Sequence, residues 1–148
     1  MPESDQLFPR QRAFLDAGLF VIRVGLGIMF MIHGWSKITG GTEVWTRLGG
    51  AMSLVGIDFA PAFWGFMASF AEFGGGLALV LGIFFRPMVI LLLITMIVAT
   101  VKLASVEEPS FTSWSRPLEL AIVFVGLLIT GPGKAALGRV LFKARWWS

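Results

Sequence analysis

Four stretches of this 148-residue sequence are long and apolar enough to cross a bilayer. A membrane-spanning helix needs roughly 20 mostly apolar residues, because it must cover about 30 Å of hydrocarbon. The stretches occupy residues 13–35, 59–85, 87–106 and 116–131. Since lipid offers no hydrogen-bond partner to a bare backbone, they predict an all-α fold. We expect one transmembrane domain over residues 1–148, built as an antiparallel four-helix bundle.

The composition supports a membrane protein and excludes several kinds of site. The chain is 56% hydrophobic and 14% charged, whereas soluble domains have about 45–50% apolar and about 25% charged residues. Cysteine is absent and histidine occurs once. Disulfides, iron–sulfur clusters and a bis-histidine haem within one chain are therefore excluded, and we expect no metal site. The net charge of +3 comes from basic chain ends, so we expect no nucleic-acid partner.

The distribution of basic residues predicts the topology. Four spans place both termini on one side, and the positive-inside rule makes that side the cytoplasm. The basic residues on it are Arg10, Arg12, Arg86, Lys134, Arg139, Lys143 and Arg145. Apolar residues at helical spacing within residues 38–58, and the basic amphipathic tail over residues 134–148, each predict a helix at the membrane surface.

Six titratable residues lie in or at the ends of these spans: Arg23, His33, Glu72, Arg86, Lys102 and Glu119. A charge at the centre of a membrane helix costs at least about 2.5–3.5 kcal/mol, so it persists when paired, hydrated or functional. Arg23 precedes Gly34 by eleven residues, and Glu72 follows Pro61 by eleven. If Gly34 and Pro61 mark the outer surface, Arg23 and Glu72 lie at equal depth and form a pair. That pair is either a structural staple or part of a proton-linked or anion-binding site, whereas Arg86 is expected to fix topology.

Polar residues at the outer ends of the spans predict a shared cavity that opens toward the periplasm. We expect His33, Lys37, Lys102 and Glu119 to lie there at similar depth, with Lys102 and Glu119 paired. The alternatives are that Lys102 extends its amine to the interface and that Glu119 only favours a helix N-terminus. His33 is the candidate proton acceptor or ligand donor, because histidine ordinarily titrates near neutral pH. A quinone suits such a cavity, since its two carbonyl groups need hydrogen-bond donors; a small inorganic anion is a second candidate.

Several motifs, in their order, resemble the DoxX family of small bacterial membrane proteins. They are RVGLGIMFMIHGWSKI, EFGGGLALVLGIFFRP, MIVATVK and PLELAIVFVGLLITGPGK. The resemblance implies a four-helix membrane bundle in the bacterial inner membrane. It also implies a role like that of DoxD, the membrane subunit of thiosulfate:quinone oxidoreductase, or in complexes with soluble redox enzymes. The positions that match the family are Arg23, His33, Gly34, Lys37, Glu72, Gly75, Arg86, Glu119 and Gly131. After the GPG motif this chain reads KAALGR and lacks the family's usual Ser-Leu-Asp.

The favoured interpretation is a quinone-linked redox subunit, acting on a sulfur compound or another reductant. In it His33, Glu72 and Glu119 are catalytic, while Arg23, Lys37 and Lys102 bind the quinone or substrate. Its partners are the bilayer, a redox protein and further copies of the chain. The alternative is a non-enzymatic scaffold that holds a soluble redox enzyme at the membrane. A small-solute carrier is a weaker alternative, because no inverted repeat is present.

Overall fold

The computed structural model describes residues 9–138, with side chains from residue 11 onward. This part of the chain contains no strand, which agrees with the predicted all-α fold. Its helices are α1 (Pro9–Ile38), α2 (Gly41–Gly49), a 3-10 helix (Gly50–Val55), α3 (Pro61–Leu81), α4 (Phe85–Ala104) and α5 (Phe111–Thr130). The prediction of four long apolar helices is confirmed, because α1, α3, α4 and α5 are each long and apolar enough to cross a membrane.

The two predicted surface helices lie in residues 38–58 and in the tail over residues 134–148. A helix forms within residues 38–58, as the periodicity predicts, but its position at the membrane surface stays a prediction, as does the sidedness of the termini. Residues 139–148 of the predicted tail helix lie outside the described residues. The four long helices differ in extent from the predicted spans. Helix α3 ends at Leu81, four residues before the predicted end, and α4 lies two residues earlier than predicted. Helix α1 is longer at both ends, and α5 begins five residues early, so that Pro117 lies inside it.

Glycines bring the backbones of α1 and α3 into direct contact. A Cβ atom on Gly27 would lie 2.6 Å from the carbonyl oxygen of Gly76, and a Cβ on Gly76 would lie 2.6 Å from that of Gly27. Seven residues further along α1, a Cβ on Gly34 would overlap the backbone of Phe73. Small residues permit this close approach between membrane helices. The contacts fix an antiparallel register in which Gly27 lies beside Gly76 and Gly34 beside Phe73.

The short helix α2 lies across the first turns of α3. A Cβ on Gly65 would overlap the backbone of Trp45, and a Cβ on Gly49 would overlap that of Pro61. The indole Nε1 of Trp45 donates a hydrogen bond of 3.0 Å to the carbonyl oxygen of Lys37, in the last turn of α1. The first turns of α3 therefore extend past the C-terminal end of α1. Helix α2 occupies the space beyond that end of α1, beside those turns of α3.

The packed core joins all four long helices. Phe30 of α1 and Phe124 of α5 contact each other with ring centroids 5.3 Å apart. The remaining core residues come from α3, α4 and α5, and include Leu79, Phe85, Val89, Leu92, Met96, Ala121 and Leu127. Most of them lie in the half of the bundle nearest the α3–α4 turn. The other half, near the C-terminal ends of α1 and α4, contains a cavity.

The glycine contact predicts opposite effects for two neighbouring substitutions on α1. Gly27→Ala places a methyl group against the α3 backbone, and overpacking of this kind costs about 1–3 kcal/mol. Gly25→Ala is the matched control, because no atom lies within 4 Å of its Cβ position. In that open position alanine should stabilise the helix by up to about 1 kcal/mol. Unfolding of the purified protein by SDS titration measures both, and equal midpoints for the two variants would contradict the register.

Candidate functional site

A cavity of about 220 Å³ lies between α3 and α4, beneath α2 and the 3-10 helix. Most of its wall is apolar and includes the small side chains of Ala68, Ala71 and Ala99, which leave space between the two helices unfilled. Lower in the bundle this gap closes, since a Cβ on Gly75 would lie 3.1 Å from the Leu92 side chain. Five polar or charged residues also line the cavity: Lys37, Trp64, Glu72, Thr95 and Lys102.

Glu72 and Lys37 form an ion pair in this cavity. The Nζ atom of Lys37 lies 2.6 Å from both carboxylate oxygens of Glu72. The Glu72 residue is only 5% exposed, whereas the Lys37 side chain is 34% exposed. Lys37 reaches the carboxylate because Gly34, three residues earlier on α1, packs against the backbone of Glu72 and Phe73. The pairing satisfies a charge that would otherwise be costly inside a membrane protein.

Lys102 brings a second ammonium group to the same cavity, from the last turn of α4. It makes no hydrogen bond or ion pair with any residue that the structure describes. Thr95 lines the cavity too, but its hydroxyl already donates to the carbonyl oxygen of Leu91 at 2.8 Å. The charges of Lys37 and Glu72 cancel each other. The ammonium group of Lys102 therefore gives the cavity lining a net charge of one positive unit.

Trp64 contributes a buried donor at the cavity wall. Its indole Nε1 has no hydrogen-bond acceptor within residues 9–138, in contrast to Trp45, whose indole is paired. A buried donor without an acceptor costs about 1–3 kcal/mol. The cavity therefore combines a large apolar wall with an unpaired ammonium, and Trp64 in that wall has a buried indole N–H without an acceptor.

The predicted pair of Arg23 with Glu72 is wrong. Arg23 is 1% exposed, and its guanidinium donates hydrogen bonds to two backbone carbonyl oxygens, of Pro132 at 3.1 Å and of Ala135 at 2.8 Å. It also contacts the α3–α4 turn, where a Cβ on Gly82 would meet Nη1 of Arg23. Arg23 thus fastens the segment after α5 to the far end of the bundle and does not line the cavity.

The error in the predicted pair comes from the choice of reference residues. The prediction places Gly34 and Pro61 at one surface, but Gly34 lies opposite Phe73, twelve residues into α3. The register places Arg23 beside the α3–α4 turn near Gly82, and at 1.5 Å per residue this turn is about 15 Å from Glu72. Sequence alone does not show that α2 occupies the space above α1 and so offsets the two helices.

His33 and Glu119 also lie outside the cavity, against expectation. Both residues are exposed on the outside of the bundle, His33 on α1 and Glu119 on α5. The predicted Lys102–Glu119 ion pair is absent from the described residues. Of the predicted site residues, the structure therefore brings together Lys37, Glu72 and Lys102. Trp64, which the sequence analysis does not include among the candidate site residues, also lines the cavity.

An acidic residue near the start of α1 was not predicted to have a structural role. Asp16 accepts a hydrogen bond from the backbone N–H of Lys134 at 3.1 Å, and the Lys134 ammonium lies 3.6 Å from the same carboxylate. With the two Arg23 hydrogen bonds, this contact holds residues 132–135 against α1. The GPG motif is thus the start of a segment that folds back onto the bundle, where Ala136 is buried.

Comparison with known proteins gives one family and two relatives. The DoxX family pattern matches residues 18–105 of this chain. "Inner membrane protein YqjF" of Escherichia coli (strain K12) is 31% identical over 135 residues, which cover 88% of this chain and 96% of YqjF. "Putative oxidoreductase CatD" of Bacillus subtilis (strain 168) is 27% identical over 132 residues, which cover 88% and 91%. No solved structure matches significantly.

The ion pair predicts a specific pattern of stability in three variants. Lys37→Met should lower the free energy of unfolding by about 3 kcal/mol, because it leaves the Glu72 carboxylate buried without a partner. Lys102→Met is the matched control and should change stability little, since Lys102 has no ion-pair partner in the described chain. Lys37→Met combined with Glu72→Met should recover most of the loss. SDS or thermal unfolding in detergent measures all three, and a double variant no more stable than Lys37→Met would contradict the pairing.

Proposed function

This chain belongs to the DoxX family, and we propose that it is a quinone-linked redox subunit of the bacterial inner membrane. The observation that carries the proposal is the α3–α4 cavity, in which an apolar wall surrounds a Lys37–Glu72 pair and an unpaired Lys102. The name of the Bacillus subtilis relative, which contains the word oxidoreductase, supports the same class of activity.

The size of the cavity suits a ring and excludes a long tail. A cavity of about 150 Å³ lined by apolar side chains accepts benzene, so 220 Å³ has room for one substituted six-membered ring. Typical pockets for whole drug-sized ligands are larger, at about 300–1,000 Å³. A quinone therefore fits if its head group enters the cavity and its isoprenoid tail stays outside, in the lipid.

The polar groups of the cavity match the needs of a quinone head group. Its carbonyl oxygens are acceptors, and the cavity wall carries two residues with unpaired donors, the Lys102 ammonium and the Trp64 indole N–H. The positive charge of Lys102 favours binding of a head group that gains negative charge when it accepts electrons. We propose that Lys102 and Trp64 hold the head group and that the apolar wall excludes bulk water from it.

A bound quinone supplies the ability to accept two electrons and two protons. Glu72 is the carboxylate that can hold and pass a proton at this site, and Lys37 keeps it oriented through contacts of 2.6 Å to both oxygens. Electrons come from a small reductant or a partner protein. We further propose that the cavity opens toward the periplasm, in keeping with the predicted topology. His33, Glu119 and Arg23 have no part in this mechanism, because they lie outside the cavity.

Quinone binding tests the proposal directly. Titration of the purified protein with a short-tailed benzoquinone or naphthoquinone should quench tryptophan fluorescence with saturation, since Trp64 forms part of the wall. Lys102→Met should weaken binding about tenfold, the effect of losing one hydrogen bond from a charged donor. Arg116→Met is the control, because Arg116 is an exposed cation at the start of α5 that does not line the cavity.

A steric variant separates this cavity from binding elsewhere. Ala99→Leu fills part of the cavity and should abolish saturable quenching, whereas Ala104→Leu makes the same change at an exposed position on the same helix. Unchanged quinone affinity in both Ala99→Leu and Lys102→Met would overturn the proposed site. Protein that carries no quinone after mild extraction and shows no saturable quenching would overturn the proposed function.

A further inference from the structure

Glu119 is a carboxylate in a position that a single copy of the chain does not explain. It is the ninth of twenty residues in α5, close to the middle of that membrane-spanning helix. Its side chain is exposed and makes no ion pair within the described chain, not even with Arg116 one turn away. A charge in this environment costs at least about 2.5–3.5 kcal/mol unless it finds a partner.

His33 is exposed at nearly the same depth, on α1. The contact of Phe30 with Phe124 aligns these two antiparallel helices. Glu119 lies five residues before Phe124, or about 7.5 Å, and His33 lies three residues after Phe30, or about 4.5 Å in the same direction. The two side chains therefore differ in depth by about 3 Å. The His33 ring has no partner within the described residues.

His33 also lies on the side of α1 from which two leucines pack against the core. It continues a line of residues seven apart that begins with Leu19 and Leu26. Both leucines pack against the core cluster that contains Phe124, and residues seven apart share one face of a helix. Beyond Phe124 on α5, Gly126 is exposed and has no atom within 4 Å of its Cβ position. A second helix can therefore approach the backbone here.

We propose that this surface, formed by the outer faces of α1 and α5, is the interface of a homodimer. In a two-fold dimer with its axis along the membrane normal, residues of equal depth face each other. His33 of one copy then pairs with Glu119 of the other, and the symmetry makes the contact twice. We infer that the partner is a second copy of the chain because the groups are complementary. The Glu119 carboxylate needs a donor, and the same chain has an unpaired imidazole, His33, at the matching depth. The proposal is independent of the quinone site.

Cysteine cross-linking tests the interface, and the natural chain contains no cysteine to interfere. One copy carries Met29→Cys and a differently tagged copy carries Val123→Cys. Both positions are exposed and lie next to Phe30 and Phe124 in sequence. Oxidation of membranes from cells that make both copies should give a disulfide-linked dimer. Phe70→Cys with Ile97→Cys is the control, because these exposed residues lie at equal depth on α3 and α4.

Substitution of the pair tests its role in binding. Glu119→Leu should raise the dimer dissociation constant in detergent about tenfold or more, because two interhelical hydrogen bonds are lost. The exchanged variant, His33→Glu with Glu119→His, should restore dimerisation, because each contact forms with its partners reversed. Three outcomes would overturn the proposal: a monomer at every concentration, equal cross-linking in the α3–α4 control, or association with a different protein in place of a second copy.

Discussion

The contact between the backbones of α1 and α3 determines where the charged side chains of the bundle lie. Gly27, Gly34 and Gly76 let the two helices approach so closely that their register cannot shift without a steric clash. That register sets Lys37 beside Glu72 and moves Arg23 to the opposite end of the bundle. The two buried charges, on Glu72 and Arg23, are thus stabilised in different places and by different means. One is an ion pair in a cavity, and the other is a guanidinium held by carbonyl oxygens.

This separation gives the bundle two ends with different chemistry. At one end, Arg23, Asp16 and the segment after the GPG motif form a closed arrangement of hydrogen bonds. At the other end, small alanine side chains leave a cavity between α3 and α4. The unpaired donors lie at that open end. This division gives Arg23 a structural role and leaves Lys102 unpaired beside the cavity, where we propose that it binds a ligand.

The sequence was sufficient to predict the helices but not their relative offset. Length and apolarity identify a membrane span, because the bilayer has a fixed thickness, and the four long helices were found on that basis. The depth of Arg23 was misjudged because it depends on where α3 begins relative to α1. That offset results from the packing of α2 through Gly49 and Gly65, a contact between residues distant in sequence. Lys37 was assigned to the cavity correctly, since its long side chain reaches Glu72. The shorter His33, one turn earlier, stays on the outer flank of α1.

The central claim is that Lys37, and not Arg23, is the partner of Glu72. A solid-state NMR distance between labelled side chains in lipid bilayers measures this contact most directly. With ¹⁵N in the lysine and arginine side chains and ¹³C in the Glu72 carboxyl, we expect dipolar coupling to Lys37 Nζ at ion-pair distance and none to the Arg23 guanidinium. Coupling of the Glu72 carboxyl carbon to the guanidinium nitrogens, with none to Lys37, would contradict the account.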